Sequence, residues 1–221
     1  MNKDDRIDEL EAVLARFLQP MRGLPFPVVI KALTERAVLA IDADSKCDAK
    51  LVALVKQAAV LVGKQVRKVP IRRNCPNEVG NDIEPYVIDA LLSVGLRAER
   101  PRSAAGRGQQ TGYPDVLIFD AHDRPTYLEC KIFGEGAAMT TLRSFYLSPS
   151  ANPKVCLDAR HLLLAFGVDR KPIVGSRDSL FRATSFKLID LFGLKCDIKY
   201  EFNADNARLY DSAMVVAEGV V

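Results

Sequence analysis

A chain of 221 residues with 48% hydrophobic and 27% charged side chains can bury a sizeable core, and its composition excludes collagen-like sequence and low-complexity disorder. No apolar run reaches the length of a membrane span, and the start MNKDDRIDELEA puts acids where a signal peptide needs an apolar stretch, so a cytoplasmic protein without a membrane partner is expected. Five cysteines without a CxxC pair and two histidines argue against a zinc site or disulfide framework, and a net charge of +3 does not by itself name a partner.

Leu10, Val13, Leu14, Phe17 and Leu18 repeat at helical spacing and stop at Pro20, which predicts a first helix. Pro27 opens a second through Val29, Ile30, Leu33 and Ala37, whose tail AVLAID reads equally as a short strand. A third helix is predicted over 48–62, with Leu51, Leu54, Val55 and Val62 on one side. Residues 1–67 thus form an expected N-terminal helical subdomain packed on a core of residues 68–221. The stretch KQVRKVPIRR at 64–73 then carries five basic side chains and no acid. NEVGNDIEPYVIDALLSVG predicts a fourth helix ended by Gly95, and because Pro85 belongs in a first helical turn the regular part is expected to start near Glu84. From residue 96 the pattern turns to strands: LRAER, PDVLIFD, TYLECKIF, HLLLAFGV, FKLIDL and CDIKYEF. The expected class is α/β of the α+β type, a mixed central sheet flanked by helices.

The chemistry concentrates at residues 112–133. In TYLECKIF the strand period of two puts Tyr127, Glu129, Lys131 and Phe133 on one face, so Glu129 and Lys131 project side by side. PDVLIFD and TYLECKIF read as a hairpin through AHDR. A three-residue loop, 121–123, places Asp120 opposite Arg124 and Asp115 opposite Glu129; a four-residue loop places Asp115 opposite Cys130 instead, and both registers are open to the sequence. Two neighbouring carboxylates repel unless a cation neutralises them, and hard oxygen ligands select Mg²⁺. Such an ion polarises a phosphoryl oxygen and activates water, while a lysine orients that water or stabilises the transition-state charge. Of five acid-x-Lys triplets, those at Asp44, Asp48 and Asp169 read as solvated charge. The triplet at Asp197 alternates in CDIKYEF and is the serious rival, but it lies far along the chain from Asp115.

Pro114-Asp115 followed by Glu129-Cys130-Lys131 resembles the PD-(D/E)XK nuclease signature, and NEVGNDIE resembles the helix that brings a further glutamate to that site. The order of helix, Gly-rich loop, Pro-Asp strand, Glu-x-Lys strand and basic segment is most similar to type II restriction endonucleases, over roughly residues 74–170. The resemblance implies a restriction-endonuclease-like core, Mg²⁺ dependence and sequence-specific double-strand DNA cleavage leaving 5′-phosphate and 3′-hydroxyl ends. It makes Asp115 and Glu129 metal ligands, Lys131 the catalytic lysine, and Glu84, or alternatively Glu78, the helix acid.

The flanks suit a polyanion. GRGQQTG at 106–112 lacks the following helix that a phosphate-binding nucleotide loop needs, so no nucleotide cofactor is expected. Arg72, Arg73 and Arg107 are candidate phosphate contacts, and Gln109, Gln110 and Thr111 are placed to read base edges. Beyond Lys131, Arg143, Ser144, Ser148, Ser150 and Lys154 offer further donors on irregular backbone. His161 reads as structural and His122 as solvated. A palindromic duplex presents two equivalent phosphodiesters, which points to a homodimer. A repair nickase or junction-cleaving nuclease of the same chemistry, and a non-catalytic DNA-binding module, are the competing readings.

Overall fold

The computed structural model describes residues 3–19, 21–106, 112–134, 145–200 and 213, without the side chains of residues 3–5 and 76–77. Two compact units emerge, Met1–Leu24 with Cys196–Val221, and Pro25–Lys195. In the first, helix α1 (Lys3–Phe17) exposes the apolar side chains of Ile7, Leu10, Val13, Leu14 and Phe17. Within this unit the Ile198 N–H donates to Met21 O and the Gly23 N–H to Asp197 Oδ1. Strands β1 (Leu24–Pro25) and β9 (Lys195–Cys196) are two residues each.

In chain order the second unit holds α2 (Phe26–Thr34), β2 (Val38–Leu39), α3 (Lys46–Lys68), β3 (Ile71–Arg73), α4 (Pro76–Ser93), β4 (Arg97–Glu99), β5 (Val116–Phe119), β6 (Pro125–Phe133), β7 (Ala159–Pro172) and β8 (Ser179–Asp190). The sheet order is β3-β8-β7-β6-β5-β4, with β2 added beside β7. Strand β6 runs parallel to β7, and β2 also pairs parallel with β7, while the remaining pairs are antiparallel. This is the mixed sheet with flanking helices expected of a restriction-endonuclease-like core.

One face of the sheet buries Val116, Ile118, Leu128, Cys130, Leu162, Leu164 and Phe166 against Leu51, Val55, Val62, Val79, Ile83, Val87 and Leu91 of α3 and α4. Burying such side chains contributes roughly 1.5–3 kcal/mol each and fixes which face of the hairpin is left for chemistry. That same burial corrects the expected start of α4. The helix begins at Pro76 and continues through Pro85, because a continuous stripe of Val79, Ile83, Val87, Ala90 and Leu91 outweighs the hydrogen bond that Pro85 cannot donate. Two further expectations change. The second helix stops at Thr34, where Glu35 takes a left-handed C-cap conformation, and AVLAID supplies strand β2. CDIKYEF is strand only at its first residue among those described: Asp197 spends its carboxylate on a backbone N–H, which leaves the rival triplet without a strand face.

Candidate active site

The hairpin of β5 and β6 adopts the three-residue loop. Val116 pairs with Leu128 and Phe119 with Pro125, so continuing the ladder puts Asp120 opposite Arg124 and Asp115 opposite Glu129. The turn residues explain it. Asp120 O accepts from Asp123 N at 3.0 Å, Asp123 takes a left-handed φ of 55°, and the Asp120 carboxylate accepts the N–H groups of His122 and Arg124. His122 lies in this turn and is exposed, as its sequence position suggested.

At the open end of the hairpin, Asp115 Oδ2 accepts the Cys130 N–H at 2.8 Å, which brings its carboxylate onto the edge of β6. The Lys131 Nζ lies 2.6 Å from Glu129 Oε1. Glu129 is 5% exposed, and its Oε2 is buried with no hydrogen-bond partner among the described residues. Burial and the facing Asp115 carboxylate push the Glu129 carboxyl up to about 7, against the pull of Lys131. Burial works to lower the Lys131 ammonium, but Glu129 and Asp115 override it and hold it above its usual value. Cys130, between them in sequence, points to the core.

Glu84 joins this cluster from α4. Burial and the Asp115 charge raise its carboxyl, opposed by Arg100, Lys154 and Lys131. Arg100 Nη2 sits 3.4 Å from Glu84 Oε2. Glu78 does not join it: it is exposed on the first turn of α4, with its nearest ion-pair partner, Arg73, at 4.0 Å. The alternatives for the helix acid thus separate on the continuation of α4 through Pro85, which carries Glu84 in mid-helix.

Lys154, a candidate DNA-contacting donor on irregular backbone, is 5% exposed. Its Nζ donates to Gly112 O at 2.6 Å and Pro114 O at 3.1 Å, clamping the segment that leads to Asp115. Burial lowers its ammonium, while Asp115, Glu129 and Glu84 pull the other way. The reason is local: Tyr127, from the same face as Glu129, donates its hydroxyl to Lys154 O and accepts the N–H groups of Cys156 and Leu157, drawing residues 154–157 down onto the sheet. His161 is structural, as expected. It is buried between Phe26, Tyr113 and Tyr127, bonded through Nδ1 to the Tyr113 hydroxyl at 2.6 Å, and burial drives it down to about 3 so that it stays neutral. Tyr113 and Lys154 brace the approach to Asp115 from two sides, and the sequence marked neither for that role.

Among the other candidates, Arg72 pairs with Asp178 at 2.7 Å, and Arg73 grips Asp82 through two bonds of 2.6 Å. Both sit on β3, at the opposite edge of the sheet from β4. Ser148 is exposed, and Ser150 Oγ accepts the Asn152 N–H. Arg107, Gln109, Gln110, Thr111, Arg143 and Ser144 lie outside the described residues.

Glu129 couples the fold to pH. Its native pKa lies above the ordinary value of 4.5, so the folded state binds this proton more tightly than the unfolded chain and loses stability as pH rises from about 4.5 to about 7. Without divalent cation, Glu129→Gln is therefore expected to melt higher than wild type at pH 8, by an amount on the order of 2–4 kcal/mol, and to match it at pH 4. Equal melting temperatures at pH 8 in EDTA would show that the two carboxylates do not repel.

Among the described residues no set of three or more His, Cys, Asp or Glu side chains converges as a ready metal cage, and no helix is long and apolar enough to cross a membrane. The donor set is two carboxylates in contact, one with an unpartnered buried oxygen, which fits a hard divalent cation better than any soft metal.

The comparisons with known proteins identify the family. The model of the type II restriction enzyme MjaV family matches residues 20–213. The chain is 34% identical, over 236 aligned positions covering 99% of it and 98% of the relative, to the type II restriction enzyme MjaV of Methanocaldococcus jannaschii. No solved structure matches the chain. With a hairpin that joins Asp115, Glu129 and Lys131 on one face, and a family match over nearly its whole length, the chain belongs to the MjaV family of type II restriction enzymes, which are site-specific deoxyribonucleases.

Proposed function

We propose that this enzyme hydrolyses both strands of a specific DNA sequence in a Mg²⁺-dependent reaction at Asp115, Glu129 and Lys131. The observation that carries the reading is the contact of the Asp115 and Glu129 carboxylates, with Glu129 Oε2 buried and unpartnered among the described residues and Lys131 Nζ 2.6 Å from Oε1. Asp115 and Glu129 would hold the cation, which supplies neutralisation of a phosphoryl oxygen and a lowered pKa for water. Lys131, held charged by Glu129, orients the attacking water and stabilises negative charge on the phosphoryl oxygens as it develops. Water adds to phosphorus, the bond to the 3′-oxygen breaks, and that oxygen leaves with a proton, giving 5′-phosphate and 3′-hydroxyl ends. Glu84 acts from α4 by holding Arg100 and adding to the negative potential at the cation site. A homodimer serves the two strands of the duplex, and the apolar face of α1 offers surface for it.

The experiment is digestion of a plasmid of known sequence with Mg²⁺ or with EDTA, followed by sequencing of the fragment ends. Discrete fragments with 5′-phosphates, formed only with the divalent ion, are expected. DNA binding that is indifferent to Mg²⁺ and leaves the plasmid intact would replace the reading with a binding module, and accumulation of singly nicked circles would replace it with a nickase.

A further inference from the structure

Six arginines on or beside the sheet have already spent their charge. Arg72, Arg73, Arg97, Arg100, Arg124 and Arg160 each lie within ion-pair distance of an aspartate or glutamate. As with Arg170 and Arg182 on the strands, no carboxylate lies within ion-pair distance of Arg36 or Arg102 among the described residues. Yet the two are remote in sequence and line one concavity of about 540 Å³. Leu117 and Tyr127 also line it, and these two residues are register partners across β5 and β6. The next pair along the same face is Asp115 and Glu129. The concavity and the acid pair are therefore contiguous on one sheet face, two residues or about 7 Å apart along the strands, comparable with the step between consecutive phosphates of a nucleic acid strand.

The charge balance favours an anion. Glu99 is the acid lining the concavity, and the Lys154 ammonium there is committed to the Gly112 and Pro114 carbonyls. That leaves two guanidiniums, always charged and shaped to grip phosphate in a fork, without an ion-pair partner among the described residues. We propose that Arg36 and Arg102 form a clamp for the phosphodiester adjacent to the scissile one. The inference rests on the cleavage reading above and assigns a DNA-backbone contact next to the hydrolytic site.

The test measures equilibrium binding of a short duplex containing the cleavage site, in EDTA, across a salt series. Arg36→Ala/Arg102→Ala is expected to flatten the slope of log affinity against log salt by about 0.9, the contribution of the one phosphate that the clamp neutralises. With Mg²⁺ its KM should rise while kcat at saturating DNA stays near wild type. The second measurement alters the DNA: a single methylphosphonate next to the cut position should weaken binding to wild type roughly tenfold or more, and the double variant should lose nothing further at that position. Both side chains are exposed, so the variant should melt with wild type. If wild type cleaves but the double variant keeps the full slope, or loses as much as wild type to that methylphosphonate, the clamp is overturned and the cleavage reading stands. A wild type that cleaves nothing overturns both.

Discussion

Lys131→Ala is expected to lower the single-turnover rate of DNA cleavage by about 10²–10³-fold, the usual cost of removing one charge stabiliser from a water-poor site. Asp115→Ala and Glu129→Ala should bring cleavage below detection, because each removes one of the two carboxylates that face each other across the hairpin. These three side chains act as a unit, so the double variant Glu129→Ala/Lys131→Ala should be no slower than Glu129→Ala alone. Stability discriminates this from a folding defect. Lys131 is 34% accessible, so truncating it opens no closed cavity, and truncating either acid relieves repulsion. All three variants should therefore bind DNA and melt cooperatively. Asp197→Ala, on the rival triplet, should cleave at the wild-type rate. Wild-type kinetics in any of the three site variants would dismantle the assignment.

Asp48→Ala is expected to be the most damaging substitution for the fold. This carboxylate, which the sequence reads as solvated charge, is instead fully buried and joins three parts of the chain, because two guanidiniums reach it there. Its Oδ1 lies 2.6 Å from Arg124 Nη1 in the hairpin and 2.9 Å from Arg160 Nη2 on β7, while its Oδ2 accepts the N–H of Asp42 before α3. Burial works against the charge, but the Asp42 N–H and the two guanidiniums hold the Asp48 carboxyl below the usual carboxylate range. That stabilisation is present above about pH 4 and is lost as pH falls through the lowered native pKa. Removing the acid leaves Arg160, only 12% accessible, without its partner, and breaking a buried pair in this way costs about 3–5 kcal/mol. For a domain of this size the melting temperature should fall by roughly 6–20 °C, and calorimetry at pH 7 measures it. A fall of a degree or two would mean that the network is solvated.

Local periodicity carried much of the site into view. Alternation in TYLECKIF sorts Glu129 and Lys131 from Cys130 and Leu128 because a strand side chain has only two faces to choose between. The two possible loop lengths then left two registers, and the left-handed Asp123 within a self-capped turn is what selects Asp115 opposite Glu129. Helix α3 was legible for a similar reason, since its apolar repeat faces one sheet, although its last turn hides in the basic stretch that the sequence shows only as charge.

The sequence by itself determined that Glu129 and Lys131 share one strand face, and that helices precede a mixed sheet. Tertiary structure alone decided the long-range matters. Helix α4 crosses Pro85 because its apolar stripe is buried, and that places Glu84 rather than Glu78 near Asp115. Lys154 turns inward because Tyr127 pulls its segment onto the sheet, and Arg72 and Arg73 are neutralised by Asp178 and Asp82. Arg36 and Arg102 meet at one concavity only because α2 and the strand ends converge there. The physical reason is common to all of these. Strand and helix periods are set by neighbouring residues, whereas burial and ion pairing depend on partners tens of residues away, whose distance no local pattern encodes.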